Sequence, residues 1–196
     1  MKSFFKYFVL IFLVGTQLTF SQKLTRKEKK ILKTIEVNNA EAIEFLKDVV
    51  NINSGTMNHE GVKKVGDVFA KAFEAIGFKS SWYDMSQVNR SGHLFAETSG
   101  DKGKKLLLIG HLDTVFEENS PFQEFKMVND SIAHAPGGND MKGGNVIILY
   151  ALKALADNGL LKNAQIIAAF TGDEEATGKP LTISRKHLIE AGKRSD

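Results

Sequence analysis

The sequence predicts a three-layer α/β domain with a mixed, largely parallel central sheet, and three stretches of the chain indicate it. Residues 106–109 are four consecutive large aliphatic residues, which predict a strand that is covered on both faces. Residues 140–157 carry apolar side chains at helical spacing, and residues 166–170 form a second apolar strand. A strand, a crossover helix and a strand over roughly 60 residues predict a parallel βαβ unit.

Composition fits a globular domain and argues against two other classes. Of the 196 residues, 42% are hydrophobic and 25% are charged, so the chain can bury a core. The chain contains no cysteine, which excludes a disulfide framework. The formal charge falls from +3 to +1 if Lys2 and Lys6 are removed with a leader, and this balance argues against a nucleic-acid-binding protein.

The first residues have the pattern of a secretory signal. Lys2 and Lys6 precede an apolar run at residues 7–14, and small residues at positions 19 and 21 suit signal peptidase. We therefore expect residues 1–21 to be removed and the protein to be exported, either to the periplasm or into the medium. The alternative is an uncleaved anchor, but the apolar run is much shorter than the roughly 18 to 20 residues that span a membrane, so no stable membrane anchor is expected.

The region after the signal predicts two helices. Residues 22–38 are interpreted as a basic amphipathic lead-in, and residues 39–50 as a helix. Residues 51–58 have the composition of a loop, and a second helix over residues 62–76 is stopped by Gly77. The apolar positions that define the two helices are Ala42, Phe45, Leu46, Val49, Val50, Val62, Val65, Phe69, Phe73 and Ile76.

The middle of the chain predicts further strands and a long loop. Residues 79–85 and 93–98 have strand-like composition, and residues 100–103 form a polar turn into the strand at 106–109. Periodicity is lost over residues 116–138, which predicts a long surface segment beside the candidate site.

Polar residues that can bind metal follow both apolar strands. His111 and Asp113 come directly after the first strand, Asp140 begins the crossover helix, and residues 173–175 (Asp-Glu-Glu) follow the second strand. Residues two apart in a strand share a side, so the Asp113 carboxylate can accept the second ring N–H of His111. Ligands of α/β sheets bind outside the carboxyl ends of strands, and an imidazole with several carboxylates suits zinc in a hydrolase.

Each of these residues also has a structural explanation when it is taken alone. A His/Asp pair can be a polar turn, Asp140 can cap a helix, and acidic residues are favoured at a helix start by its dipole. The glycine pairs at 137–138 and 143–144 suggest a nucleotide loop, but neither G-x-G-x-x-G nor a P-loop sequence is present. A dinucleotide-binding domain is therefore the third hypothesis, behind a metal-dependent hydrolase and a binding module.

Three motifs resemble those of a known family. They are Gly-His-Leu-Asp-Thr-Val at residues 110–115, Gly-Asn-Asp-Met-Lys-Gly-Gly at 138–144 and Thr-Gly-Asp-Glu-Glu at 171–175. In order and spacing they resemble the metal-site motifs of the dinuclear zinc amidohydrolases that include glutamate carboxypeptidase, aminoacylase, acetylornithine deacetylase and succinyl-diaminopimelate desuccinylase. The resemblance covers residues 39–196. It implies the N-terminal part of a three-layer αβα zinc-exopeptidase-like domain that is incomplete at the C-terminus.

The resemblance also implies a role for each site residue. His111 and Glu175 would be zinc ligands, and Asp140 would bridge two zinc ions, for which cobalt or manganese can substitute. Asp113 would orient His111, and Glu174 would be the general base. A cis peptide bond is implied directly after Asp140.

The implied activity is hydrolysis of an amide or peptide bond by an exported metallopeptidase of carboxypeptidase or aminoacylase type, with a metal-bridged hydroxide as the nucleophile. The substrate would be a small peptide or an N-acyl amino acid, and the full-length protein would be a homodimer. The family's remaining carboxylate ligand, dimerisation domain and final histidine ligand would lie beyond Asp196, while His134 and His187 are expected to have surface roles. The alternative is a catalytically inactive, truncated binding module of the same fold.

Overall fold

The computed structural model describes residues 23–196, so the predicted signal at residues 1–21 lies outside the described residues. The chain divides into two compact units after Lys30, and residues 23–30 of the first unit are exposed. The helices are α1 (Arg26–Val50), α2 (His59–Ala75), α3 (Gly143–Asp157), α4 (Leu181–Ser184) and α5 (Lys186–Lys193). The strands are β1 (Lys79–Asp84), β2 (Gly92–Glu97), β3 (Lys102–His111), β4 (Lys126–Asn129), β5 (Ile132–His134) and β6 (Ala164–Thr171).

Four strands form the central sheet in the order β1, β2, β6, β3. β3 and β6 are parallel, as the βαβ pattern predicts, whereas β1 with β2 and β2 with β6 are antiparallel. The mixed sheet is confirmed, although its parallel share is smaller than predicted because β2 runs opposite to its neighbour β6. The β3–β6 pairing places His111 opposite Thr171, so the segments that follow β3 and β6 both leave the sheet at the carboxyl ends of these two strands.

Helices cover both faces of this sheet, which confirms the three-layer architecture. Alternate residues of β6 belong to two different cores, as the side-chain period of a strand requires. One face packs against α2 and α3 in the larger core, and the other face packs against α5 through Ala191 and Leu188. The largest fully buried side chains of the first core include Phe69, Phe73, Leu94 and Phe170.

The prediction that residues 106–109 are covered on both faces is wrong. Leu106 is 48% exposed and Ile109 is 54% exposed. β3 lies at the edge of the sheet among the described strands, with β6 as its one strand neighbour, so both faces of β3 are only partly covered. An apolar run cannot show whether its strand occupies a central or an edge position in the sheet.

Two other segments differ from the prediction. α1 begins at Arg26 rather than at residue 39, so most of the predicted lead-in is part of the same helix. The long segment at residues 116–138 is not wholly irregular, because β4 and β5 form an antiparallel hairpin within it. All residues of both short strands are exposed, and such a strand pair gives little apolar alternation to detect. Across residues 23–196, no helix has the length and apolar character needed to cross a membrane.

Phe69 is fully buried in the main core and contacts two other aromatic rings, so its removal should be costly. Its ring meets Phe45 at 5.3 Å and Phe170 at 5.4 Å, both edge to face, and the side chain is fully buried. We expect Phe69→Ala to lower the free energy of unfolding by about 3–5 kcal/mol, as measured by urea denaturation. Ile147→Ala, at a position that is 72% exposed, should change it by no more than about 0.5 kcal/mol. Equal effects of the two changes would contradict this description of the core.

Candidate metal centre

The end of β3 is fixed by a contact with α3. Asn145 is fully buried, and its Nδ2 donates a hydrogen bond of 2.6 Å to the backbone carbonyl of His111. A Cβ atom at Gly110 would collide with the Asn145 side-chain oxygen, so this position requires glycine. The contact places His111 at the sheet edge where β6 also ends.

The imidazole of His111 is held on one side and faces carboxylates on the other. Its Nδ1 lies 3.0 Å from the backbone carbonyl oxygen of Asp113 and 3.5 Å from the Asp113 carboxylate. Its Nε2 lies 3.0 Å from Oδ1 of Asp140 and 4.0 Å from Oε2 of Glu174. The ring is therefore oriented by Asp113, but the backbone carbonyl is the nearer partner of Nδ1.

The carboxylates around His111 favour a cation at this place. Burial alone would lower its pKa, but the hydrogen bonds and charges of Asp113 and Asp140 outweigh burial and raise the pKa to about 9. A metal ion competes with the proton for Nε2, because a ligating histidine must be neutral. A metal ion bound at Nε2 would take the place of this proton and offset the charge of the same carboxylates.

Asp113 organises the site more widely than the sequence predicts. Its buried carboxylate accepts the backbone N–H of Glu174 at 3.0 Å, the backbone N–H of Glu175 at 3.1 Å and the hydroxyl of Thr56 at 2.7 Å. Burial tends to raise the pKa of Asp113, but hydrogen bonds from His111, Thr56 and the Glu174 amide lower it below its usual value. Asp113 therefore remains a carboxylate that connects His111 to both glutamates.

The structure brings the other predicted residues to the same place. Ligand atoms of His111, Glu174 and Glu175 all lie within 4.8 Å of one another, and Asp140 contacts the same imidazole nitrogen. The side chain of Asp140 is 72% exposed. The pKa of Glu175 is raised by its own burial and by the neighbouring carboxylates, despite the opposing charge of His111. The peptide bond between Asp140 and Met141 is cis, as the resemblance implies.

This donor set fits a zinc site in residue type and proximity. One imidazole and several carboxylates are ligands that zinc accepts. The positions of the side chains do not show which glutamate binds the metal and which is the general base, because Glu174 also lies close enough to His111 to be a metal ligand. Lys142 is buried two residues after Asp140, and it donates hydrogen bonds to the backbone carbonyls of Val49 and Ile52, which tie this segment to the end of α1.

Other candidate residues lie outside this group. His134 is exposed in β5, and His187 stacks on Tyr83 with ring centroids 3.8 Å apart. Asp196 donates its backbone N–H to the carbonyl of Lys105, near the opposite end of β3 from His111. Thr56, which donates to Asp113, is a site residue that the sequence does not indicate, since it is one hydroxyl in a loop.

Comparisons with known proteins find similarity in the part of the chain that contains the candidate metal centre. The model of a family described as "Peptidase family M20/M25/M40" matches residues 107–196, which include all five predicted site residues. Carboxypeptidase G2 of Pseudomonas sp. (strain RS-16) is 32% identical over 158 residues, covering 79% of this chain and 36% of the relative. The chain therefore spans little more than a third of this relative.

Solved structures match the fold. Human carnosine dipeptidase 1 superimposes with a TM-score of 0.71 at 20% identity, covering 86% of this chain and 39% of that one. The dipeptidase Dug1p of Saccharomyces cerevisiae gives a TM-score of 0.69 at 16% identity, again with 86% and 39% coverage. At these identities the likeness concerns the fold alone.

Proposed function

Because residues 107–196 belong to peptidase family M20/M25/M40, we propose that this chain is the N-terminal part of a zinc-dependent hydrolase that cleaves an amide or peptide bond. The observation that carries the proposal is the convergence of His111, Glu174 and Glu175 within 4.8 Å, with Asp140 on the same imidazole nitrogen. Two zinc ions are proposed, with cobalt or manganese as substitutes.

The residues would divide the work of hydrolysis. His111, Asp140 and Glu175 would hold the metal, and zinc, when bound, would acidify a water molecule and stabilise negative charge on the scissile carbonyl oxygen. Glu174 would accept the proton of the attacking water and pass it to the leaving nitrogen. Asp113 would keep both glutamates and His111 in position through its hydrogen bonds.

The proposed substrate is a small peptide or an N-acyl amino acid. Of the three similar proteins described above, carboxypeptidase G2 is named a carboxypeptidase and the other two are named dipeptidases, and all three names are those of peptidases. For the full-length protein we further propose a homodimer.

Metal content and hydrolysis of the complete protein test the proposal together. We expect zinc close to two ions per chain, and cleavage of dipeptides or N-acyl amino acids that stops on chelation and returns with zinc. A protein that retains zinc and binds such compounds without cleaving them would instead be the inactive binding module.

Export is a separate proposal, based on the pattern of residues 1–21. We expect the mature protein to begin near Gln22 and to be recovered outside the cytoplasm. Mass spectrometry of the exported protein measures its first residue. A membrane-bound product that retains Met1 would show that the segment is an anchor.

A further inference from the structure

The loop that carries Glu174 and Glu175 has no regular secondary structure between β6 and α4, yet several of its residues are buried. We propose that His93, Asp173 and Arg185, here called the loop clamp, are positioning residues that fix Glu174 and Glu175 relative to His111. This inference rests on the proposed function and adds to it a second support for the site. Of the clamp residues, the three motifs contain Asp173 alone.

Asp173 closes the loop on itself. Its carboxylate is fully buried and points away from the bulk solvent. Oδ2 accepts the backbone N–H of Gly178 at 2.9 Å, and Oδ1 accepts a hydrogen bond of 2.5 Å from the guanidinium of Arg185. One side chain therefore joins the beginning of the loop to its end, and Glu174 and Glu175 lie between these points.

Arg185 joins the same two ends a second time. Its second terminal nitrogen donates to the backbone carbonyl of Asp173 at 3.2 Å and to the hydroxyl of Thr177 at 2.9 Å. This use of several donors needs the planar fork of arginine, because an ammonium group is a compact point charge. Arg185 thus contacts residues on both sides of the two glutamates without contacting the glutamates themselves.

His93 fixes the beginning of the loop to the sheet. Its Nδ1 accepts the backbone N–H of Gly172 at 3.1 Å, so its Nε2 carries the proton that is donated to the carbonyl of Ser184 at 2.8 Å. Burial lowers the pKa of His93, against the opposing effects of the Ser184 hydrogen bond and Asp173, and keeps the ring neutral. A neutral ring in this tautomer forms one hydrogen bond with Gly172 at the beginning of the loop and one with Ser184 beyond its end.

The clamp and Asp113 restrain neighbouring residues of the same short segment. Asp113 accepts the amides of Glu174 and Glu175, and the clamp holds Asp173, the residue directly before them. If the clamp is removed, Asp113 still restrains the two amides, but the path of the loop beyond them is no longer fixed. The expected result is displacement of the glutamate side chains rather than loss of the fold.

The test compares Arg185→Gln with Arg194→Gln in the full-length protein. Arg194 is a matched control, since it forms a bidentate pair with Glu97 at 3.0 and 2.8 Å and contacts no residue of the loop in the described contacts. We expect Arg185→Gln to lower zinc affinity and kcat each by about 10 to 100-fold, the effect typical of residues that orient metal ligands, with KM nearly unchanged. Arg194→Gln should leave all three unchanged.

Zinc affinity is measured by competition with a chelator, and the absorption spectrum of the cobalt-substituted protein reports the geometry of the site. Arg185→Lys retains the positive charge but not the planar fork. Compared with Arg185→Gln, it should bring the unfolding midpoint closer to that of the wild-type protein than it brings the cobalt absorption spectrum. If Arg185→Gln does not fold, Thr177→Val, which removes one acceptor of the fork, should lower zinc affinity in the same direction by a smaller factor.

Unchanged zinc affinity, cobalt spectrum and kcat in both Arg185→Gln and Thr177→Val would overturn the proposal. The zinc measurement requires no substrate. A wild-type protein without hydrolytic activity would therefore reject the proposed function, while a fall in zinc affinity in Arg185→Gln would still support the clamp.

Discussion

Replacement of Glu174 by glutamine should lower turnover by about 10²–10⁴-fold or more, because a positioned general base contributes a rate enhancement of this size. The zinc content should remain unchanged. Glutamine is nearly the same shape as glutamate but cannot accept the proton of water. The backbone N–H of residue 174, which Asp113 accepts, is unaffected by the change. Steady-state kinetics with metal analysis of the same sample measures both quantities.

The neighbouring residue provides the comparison. Glu175→Gln should weaken zinc binding, because an amide is a poorer zinc ligand than a carboxylate. Glu74→Gln, at an exposed position of α2, should change neither zinc binding nor turnover. If Glu174→Gln loses zinc while Glu175→Gln keeps it with little activity, the two roles must be exchanged.

Loss of either His111 or Asp140 should abolish activity together with metal binding. His111→Ala removes the nitrogen that faces the carboxylates, and Asp140→Ala removes the carboxylate 3.0 Å from that nitrogen. We expect zinc content to fall in both full-length variants, measured after dialysis against metal-free buffer. His134→Ala, which changes an exposed histidine in β5, is the control.

A protein with Asp140→Ala that retains full zinc occupancy and an unchanged rate would show that Asp140 is not a ligand. The same result for His111→Ala would place the metal elsewhere in the protein.

The location of the site could be predicted from the sequence because it depends on one topological feature. His111 and residues 173–175 follow apolar strands, and a parallel pair brings strand ends to one edge. The structure bears this out by pairing His111 with Thr171 across β3 and β6. The assignment of ligand and base came from the resemblance instead, since Glu174 and Glu175 are chemically identical and both approach His111.

The supporting contacts could not be predicted, because they join residues that are distant in sequence. Thr56 reaches Asp113, and His93 accepts from Gly172, only after the sheet and loops have their final geometry. A lone hydroxyl or buried histidine has no local pattern that indicates such a partner. The edge position of β3 was missed for a similar reason, because strand order is not encoded within the strand itself.

The parallel pairing of β3 with β6 also has a consequence for the order of folding. The paired strand ends are separated by about 60 residues of chain, and contacts of such long range form late because the intervening loop must first be closed. Asp140 lies within the connecting segment, so no part of the chain shorter than this βαβ unit can bring the candidate ligands together. An ion that binds only after this pairing stabilises the native state and not the unfolded chain. The rate at which zinc becomes tightly bound during refolding should therefore follow formation of the β3–β6 pair rather than the faster formation of the helices.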